Sequence, residues 1–271
     1  MSFFNNPLYT LRQYLATSVG DNITGQCGTT GATTQKIYAP FLYQANDYYN
    51  NHNYEVYVYA GTNIGVTKRA TDWVLADLLL TVHSAYVAAC DATSYIELHH
   101  IFTEDEYRKA INLAIESLAR KYFIDLIDDT TITLVADTYE YALPTNFLYL
   151  HQIITEDEVD GDEFFESAII DPRSWSIIKA YPPTLKLDKR YYSVTADKDL
   201  RLEGQGAQAT VSDDTDVIYL PPDWVVAKAI TMLPGNKIES NALTETYRRA
   251  VNIAAKEPVA LSYPHARKIL E

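Results

Sequence analysis

The strongest local constraint in the chain is the tetrapeptide Thr103-Glu-Asp-Glu106. It has the capping-box form: the Thr hydroxyl takes a helix amide, and the Glu reaches back to the Thr amide. Phe102 and Tyr107 occupy the flanking staple positions. Tyr107, Ile111, Ala114, Leu118 and Tyr122 then recur at steps of four and three, which makes one apolar face. This spacing predicts a helix over residues 103–126, closed by Asp128-Asp129, with Tyr107, Ile111 and Leu118 as core contacts.

After the helix the period changes to two. Thr131–Val135 and Tyr139–Leu143 flank Asp137-Thr138 and read as a β-hairpin that Pro144 ends. Further strands are expected at Leu148–Ile154, Phe164–Ile170, Thr184–Leu187, Tyr191–Thr195, Leu200–Leu202 and Val217–Leu220. Pro221-Pro222-Asp223 opens a second helix carrying Trp224, Val226, Ile230 and Leu233. Gly235-Asn236 turns the chain, and Leu243, Tyr247, Val251 and Ala254 mark a final helix.

Before Thr103 the pattern is mainly β. Leu8, Leu11 and Leu15 with Tyr14 space as a short helix closed by Gly20. The Gly/Thr-rich stretch 20–35 reads as a loop. Tyr54–Tyr59 is a strand by its aromatic and β-branched content, Gly61–Gly65 a turn, and Thr81-Val82 and Tyr95–Leu98 short strands.

These patterns predict an α+β fold. Its small helical core is the long helix plus a C-terminal helical hairpin, residues 103–126, 223–233 and 240–256. It would carry a β-rich N-terminal region and a central β insertion. The expected divisions are 1–19 (N-terminal helix), 20–100 (Tyr-rich β region), 101–130 with 221–257 (helical core), 131–220 (β insertion) and 258–271 (tail).

Composition narrows function by exclusion. The chain is 47% hydrophobic, enough for real cores, and its formal net charge is −14. Residues 1–100 carry a net −3, residues 101–236 a net −13 and residues 237–271 a net +2. A surface that coats DNA needs clustered Lys and Arg, so the charge argues against that class. Met1–Asn6 has neither a basic nor an apolar region, so a secretory leader is not expected, and no stretch is long enough to span a bilayer. Cys27 and Cys90 make no disulfide framework and read as incidental in a reducing compartment. With 22 tyrosines against 8 phenylalanines, the chain suits surfaces that are soluble first and buried by a partner later.

No motif carries catalysis or a cofactor. His99 and His100 are adjacent on a strand and point to opposite faces, so they do not share a metal. The acidic run Glu156–Glu163 resembles the front of a calcium loop, but the required bidentate Glu falls on Ser167. Gly204-Gln-Gly206 lacks the third glycine of a dinucleotide fingerprint. Neither catalytic residues, metal nor cofactor is expected.

The stretch Tyr107–Ile154 resembles head-to-tail adaptor (neck or connector) proteins of tailed bacteriophages. The resemblance is carried by Ala110-Ile-Asn-Leu-Ala-Ile115, the acidic exit Asp128-Asp129, Tyr139-Glu-Tyr-Ala-Leu-Pro144 and the apolar strand Phe147–Ile154. Leu200–Gly204 and Asp216–Trp224 are similar to the return of a β-rich insertion to a closing helix. Tyr54–Trp73 is similar to β-rich extensions on larger members. The resemblance implies a virion protein assembled in the host cytoplasm, without a membrane step. Its partners would be copies of itself in a twelve-membered ring, the portal protein above, and a tail or further neck protein below. DNA would pass through without sequence-specific binding.

Two expectations follow for particular residues. Acid at Asp157, Asp160 and Asp162 would face the channel and repel DNA, or else form a solvated surface. The tail, broken by Pro258 and Pro264, would dock on the portal through Leu261, Tyr263, Arg267, Ile269 and Leu270, or else fold back on its own subunit. Two other classes stay open. One is a β-rich receptor- or glycan-binding tail component; the other is a capsule or cell-wall hydrolase.

Overall fold

In the computed structural model, residues 4–159, 161–260 and 267–269 are described. The chain divides into two compact units, Phe4–Glu116 with Thr210–Glu257, and Ser117–Ala209 with the segment from Pro258. The first unit opens with β1 (Asn6–Pro7) and α1 (Leu8–Ser18), followed by β2 (Ile23–Gln26), β3 (Lys36–Tyr38) and the short α2 (Tyr48–Asn51). Next come β4 (Glu55–Ala60), β5 (Thr67–Val74), β6 (Leu79–Val82), β7 (Tyr95–His99) and α3 (Glu104–Ser117). The second unit holds β8 (Ile124–Thr133), β9 (Glu140–Ala142), β10 (Phe147–Thr155), β11 (Trp175–Ile178), β12 (Thr184–Leu187) and β13 (Asp199–Gly206). The chain then returns to the first unit through β14 (Val217–Ile218), α4 (Pro222–Met232), α5 (Gly235–Ser240) and α6 (Thr244–Ala254). It ends in the second with β15 (Arg267–Lys268).

The first unit is built on a six-stranded sheet in the order β2-β7-β4-β5-β6-β3, antiparallel throughout. Val56, Val58, Trp73, Leu80, Ile96 and Leu98 share its buried core. Helix α1 buries Leu8, Leu11, Arg12, Leu15 and Ala16, the one face that a 3.6-residue period allows. Each of its three buried leucines contributes roughly 1.5–3 kcal/mol relative to exposure. Helix α4 packs against α1 and α6. Trp224, buried on α4, donates its indole N–H to the Ala254 carbonyl at 3.2 Å, fixing the end of α6.

In the second unit a four-stranded sheet, β15-β10-β13-β8, and a three-stranded sheet, β11-β12-β9, share one core. Phe147, Leu150 and Ile153 of β10 meet Leu200 and Leu202 of β13 and Trp175, Leu185 and Leu187 of the smaller sheet. The glycines of Gly204-Gln-Gly206 have a packing role. A side chain at Gly204 would collide with the Tyr149 carbonyl, and one at Gly206 with that of Asn146. They let the bulged strand β10 approach β13 closely.

The expected fold class is corrected. Fifteen strands in four sheets are found among the described residues, and the sheets, not a helical core, organise both units. The capping box is present: Glu106 N donates to Thr103 Oγ1 at 3.2 Å, and Thr103 N to Glu106 Oε2 at 2.8 Å. But α3 ends at Ser117, not at residue 126. Tyr122, Ile124 and Leu126 also alternate, and the partner strand β13 draws this stretch into a ten-residue strand that includes Asp128-Asp129.

The hairpin at 131–143 does not form, because β8 pairs with β13 and β9 with β12. Phe164–Ile170 contains a 3-10 turn, Glu166–Ala168, and Tyr191–Thr195 has no strand. The 20–35 loop contains β2, which binds the edge of β7. Gly235-Asn236 begins α5 instead of a plain turn. On α6 the buried residues are Ala250 and Ala254, while Tyr247 and Val251 are exposed.

Candidate functional site

The densest polar arrangement lies inside the first unit, around Arg12. A cation on the apolar face of α1 is carried into a dry interior, where it must be paired. Its Nε donates to Glu97 Oε2 at 2.7 Å and Nη2 to Glu97 Oε1 at 3.1 Å, the bidentate geometry a guanidinium favours. Nη1 donates to Asp214 Oδ1 at 2.5 Å and faces Glu104 Oε1 at 3.4 Å. The Tyr57 hydroxyl donates to Asp214 Oδ2 at 2.7 Å, and its ring lies under the guanidinium at 4.6 Å. Arg12 thereby joins α1, β7, the start of α3 and the segment before β14.

A second hub, Asp21, adjoins it. Its carboxylate accepts from the amides of His100, Ile101 and Phe102 at 2.7–3.1 Å and from the Tyr107 hydroxyl at 2.9 Å. His99 joins the hubs, with Nδ1 on the Asp21 carbonyl at 2.8 Å and Nε2 on Glu97 Oε2 at 3.1 Å. Burial alone would raise the Glu97 carboxyl. The hydrogen bond from His99 and the charge and hydrogen bonds of Arg12 outweigh it and hold the group down at about 2. Burial would likewise lower His99, yet the hydrogen bond and charge of Glu97 raise it. Asp21, against its own burial, is lowered by hydrogen bonds from His100 and Phe102. Glu104 is raised by burial, with Arg12 opposing.

The residues singled out from sequence lie elsewhere or serve packing. Tyr107, Ile111, Leu118 and Trp224 are all buried. Asp157 and Asp162 are exposed on a loop of the second unit, and Asp160 lies outside the described residues. That loop is organised by the buried Glu156, whose carboxylate accepts from Asp162 N at 2.8 Å and Asp199 N at 2.9 Å. Leu261, Tyr263 and Leu270 also lie outside the described residues. Arg267 and Ile269 are engaged by their own chain. Arg267 stacks on Trp175 at 4.1 Å and donates to the Trp175 and Pro172 carbonyls. Ile269 is fully buried in the second unit's core.

His100 turns away from His99 and meets Asp21 Oδ1 at 2.7 Å. Among the described residues no group of three or more His, Cys, Asp or Glu could hold a metal ion.

The surface carries several exposed apolar side chains. Tyr247, Val251 and Ile253 of α6 are exposed, and Ile253 lines a groove with Tyr14, Val226, Ala227, Ile230 and Ala250. The family model described as SU10 adaptor protein matches residues 89–255, more than half of the chain. The chain belongs to that family. It is a phage structural protein of the adaptor type, a partner of other head and tail proteins. Among curated proteins, none matches the chain. No helix among the described residues of this SU10 adaptor protein is long and apolar enough to cross a membrane.

Sequence reasoning missed both hubs. One signal was available for Arg12: it follows Leu8 by four positions and precedes Leu15 by three, so it interrupts an apolar stripe. Nothing local pairs it with Glu97, Glu104 and Asp214.

Proposed function

We propose that this SU10 adaptor protein is a head-to-tail connector. In this reading it forms a ring beneath the portal, lines the DNA channel, joins the head to the tail or to a further neck protein, and catalyses no reaction. The family match over residues 89–255 carries the reading. The charge distribution supports it: a net −13 over residues 101–236 suits a wall past which DNA slides, since phosphate contacts would retard passage. The exposed loop bearing Asp157 and Asp162 is assigned to that wall.

The tail is assigned to the portal contact. Arg267 and Ile269 are engaged by the second unit in the chain alone, so docking through them requires their exchange out of it. The test is molecular mass by light scattering, for the protein alone and mixed with its portal. A large cyclic assembly that joins the portal is the expected result. A trimer indifferent to portal, or an active monomer, overturns the reading.

A further inference from the structure

Residues 1–100 hold four basic side chains, Arg12, Lys36, Lys68 and Arg69. Arg12 is buried in the hub, whereas Lys68 and Arg69 stand next to each other on β5. They line an open cleft of about 450 Å³ together with Thr67, His83 and Glu55. Among the described residues neither forms an ion pair, unlike the surface cations Lys109, Lys186 and Arg190.

The hydrogen bonds around these two cations leave donors over. His83 N donates to the Arg69 carbonyl at 3.0 Å, and Arg69 N donates to His83 Nδ1 at 3.1 Å. Because Nδ1 accepts, the ring proton sits on Nε2, which lies 3.2 Å from Ser84 Oγ. Lys68 Nζ donates to the same oxygen at 2.8 Å, and it also faces the Tyr86 ring at 5.5 Å. Ser84 Oγ thus receives two hydrogen bonds, and its own O–H meets no acceptor among the described residues. The Arg69 guanidinium is likewise unengaged there. The single carboxyl on the cleft, Glu55, is taken up by the start of α3, where it accepts from Glu104 N at 2.7 Å, and burial raises it.

We propose that this cleft binds a phosphate dianion, free or as the terminal group of a monoester. Two cations and a hydroxyl without acceptors need a ligand rich in lone pairs. The guanidinium fork matches two oxygens of one phosphate, and the ammonium and hydroxyl serve a third. A carboxylate has two oxygens only and leaves Lys68 and Ser84 unmet. A nucleic-acid strand calls for a row of cations along its backbone, and residues 1–100, at net −3, do not supply one. Lys68, Arg69, His83 and Ser84 all precede the matched region 89–255, so the site stands apart from the connector reading.

The test is calorimetric titration of the purified full chain with sodium phosphate, with sodium chloride at matched ionic strength as the blank. Melting is measured in the same solutions, since a ligand of the folded state raises it by mass action. One phosphate per chain is expected, and a higher melting temperature than in chloride. Arg69→Ala should weaken binding roughly tenfold, Arg69→Lys should recover part of the loss, and Ser84→Ala should weaken it less. Both alanine variants should melt like the wild type without phosphate, which separates a lost ligand from a lost fold. Glycerol 3-phosphate identifies the source: equal affinity assigns any terminal phosphate to the site, weaker affinity the free ion, and both support it. Neither heat nor a melting rise with phosphate overturns the proposal, as does unaltered affinity in Arg69→Ala and Ser84→Ala. Equal binding of acetate, or tighter binding of an oligonucleotide with no terminal phosphate, also overturns it.

Discussion

Arg12 holds Glu97 through two parallel hydrogen bonds, Nε to Oε2 at 2.7 Å and Nη2 to Oε1 at 3.1 Å, with both side chains fully buried. Arg12 precedes the family-matched region and Glu97 lies within it. The N-terminal segment is therefore fastened to that region by charge in a dry interior, where neither partner tolerates the loss of the other.

Removing the cation should be severe. Arg12→Ala leaves Glu97 and Asp214 buried without their shared cation and should cost about 3–5 kcal/mol, read as a lower urea midpoint. Arg12→Lys should recover only part of this, because an ammonium cannot reproduce the planar fork. An unchanged midpoint in Arg12→Ala would refute the role given to the hub.

Acid should unlock the same hub. The Glu97 carboxyl is held at about 2, below its ordinary 4.5, so its stabilisation is complete above about pH 4.5 and is lost as pH falls toward 2. The contribution is on the order of 3 kcal/mol. Asp21, also lowered, acts in the same direction. Glu104 and Glu55, raised by burial, act oppositely, since the folded state binds their protons more tightly. Urea midpoints measured from pH 7 to pH 2 should fall steeply at the acid end for the wild type. Glu97→Gln should start lower and flatten the fall; an equally steep curve would mean that another carboxylate governs it.

The C-terminal end should matter for the second unit's stability. Ile269 is fully buried, so Ile269→Ala should cost about 2–5 kcal/mol, with calorimetry as the readout. Truncation after residue 258 should loosen the sheet edge at Tyr149 and Leu150, where β15 pairs, and speed amide exchange there. A truncated protein with unaltered exchange and melting would show that this end is seated elsewhere.

On the connector reading, reversing Asp157, Asp160 and Asp162 to Lys should slow DNA ejection while particle assembly stays intact. Ejection timed by dye release from purified particles is the measurement, and equal rates would leave the loop as a solubility device. Glu156 should be left unchanged in that experiment, because its carboxylate holds the loop through Asp162 and Asp199.

What could be read in advance was what is encoded over a few residues. The capping box at Thr103, the strand Thr184–Leu187 and the proline-led start of α4 are local signals, and they appear where expected. The end of α3 was not readable, because Tyr107–Tyr122 keeps a helical period while Tyr122–Leu126 also alternates. Pairing with β13, more than seventy residues on, decides between them. The ionic hub was hidden for the same reason. Arg12 meets Glu97 across 85 residues and Asp214 across 202, and no window of sequence contains such pairs.

The placement of Arg12 also limits how such a gene can be rearranged. A crossover between residue 21 and residue 89 would leave the matched region looking intact by sequence, yet it would give Glu97, Glu104 and Asp214 to a foreign N-terminus. Unless the newcomer supplied a buried cation at the same point of its first helix, three carboxylates would share a dry pocket with only His99 and Arg108 to offset them. The heritable module is therefore longer than the segment by which the family is detected, and it takes in α1.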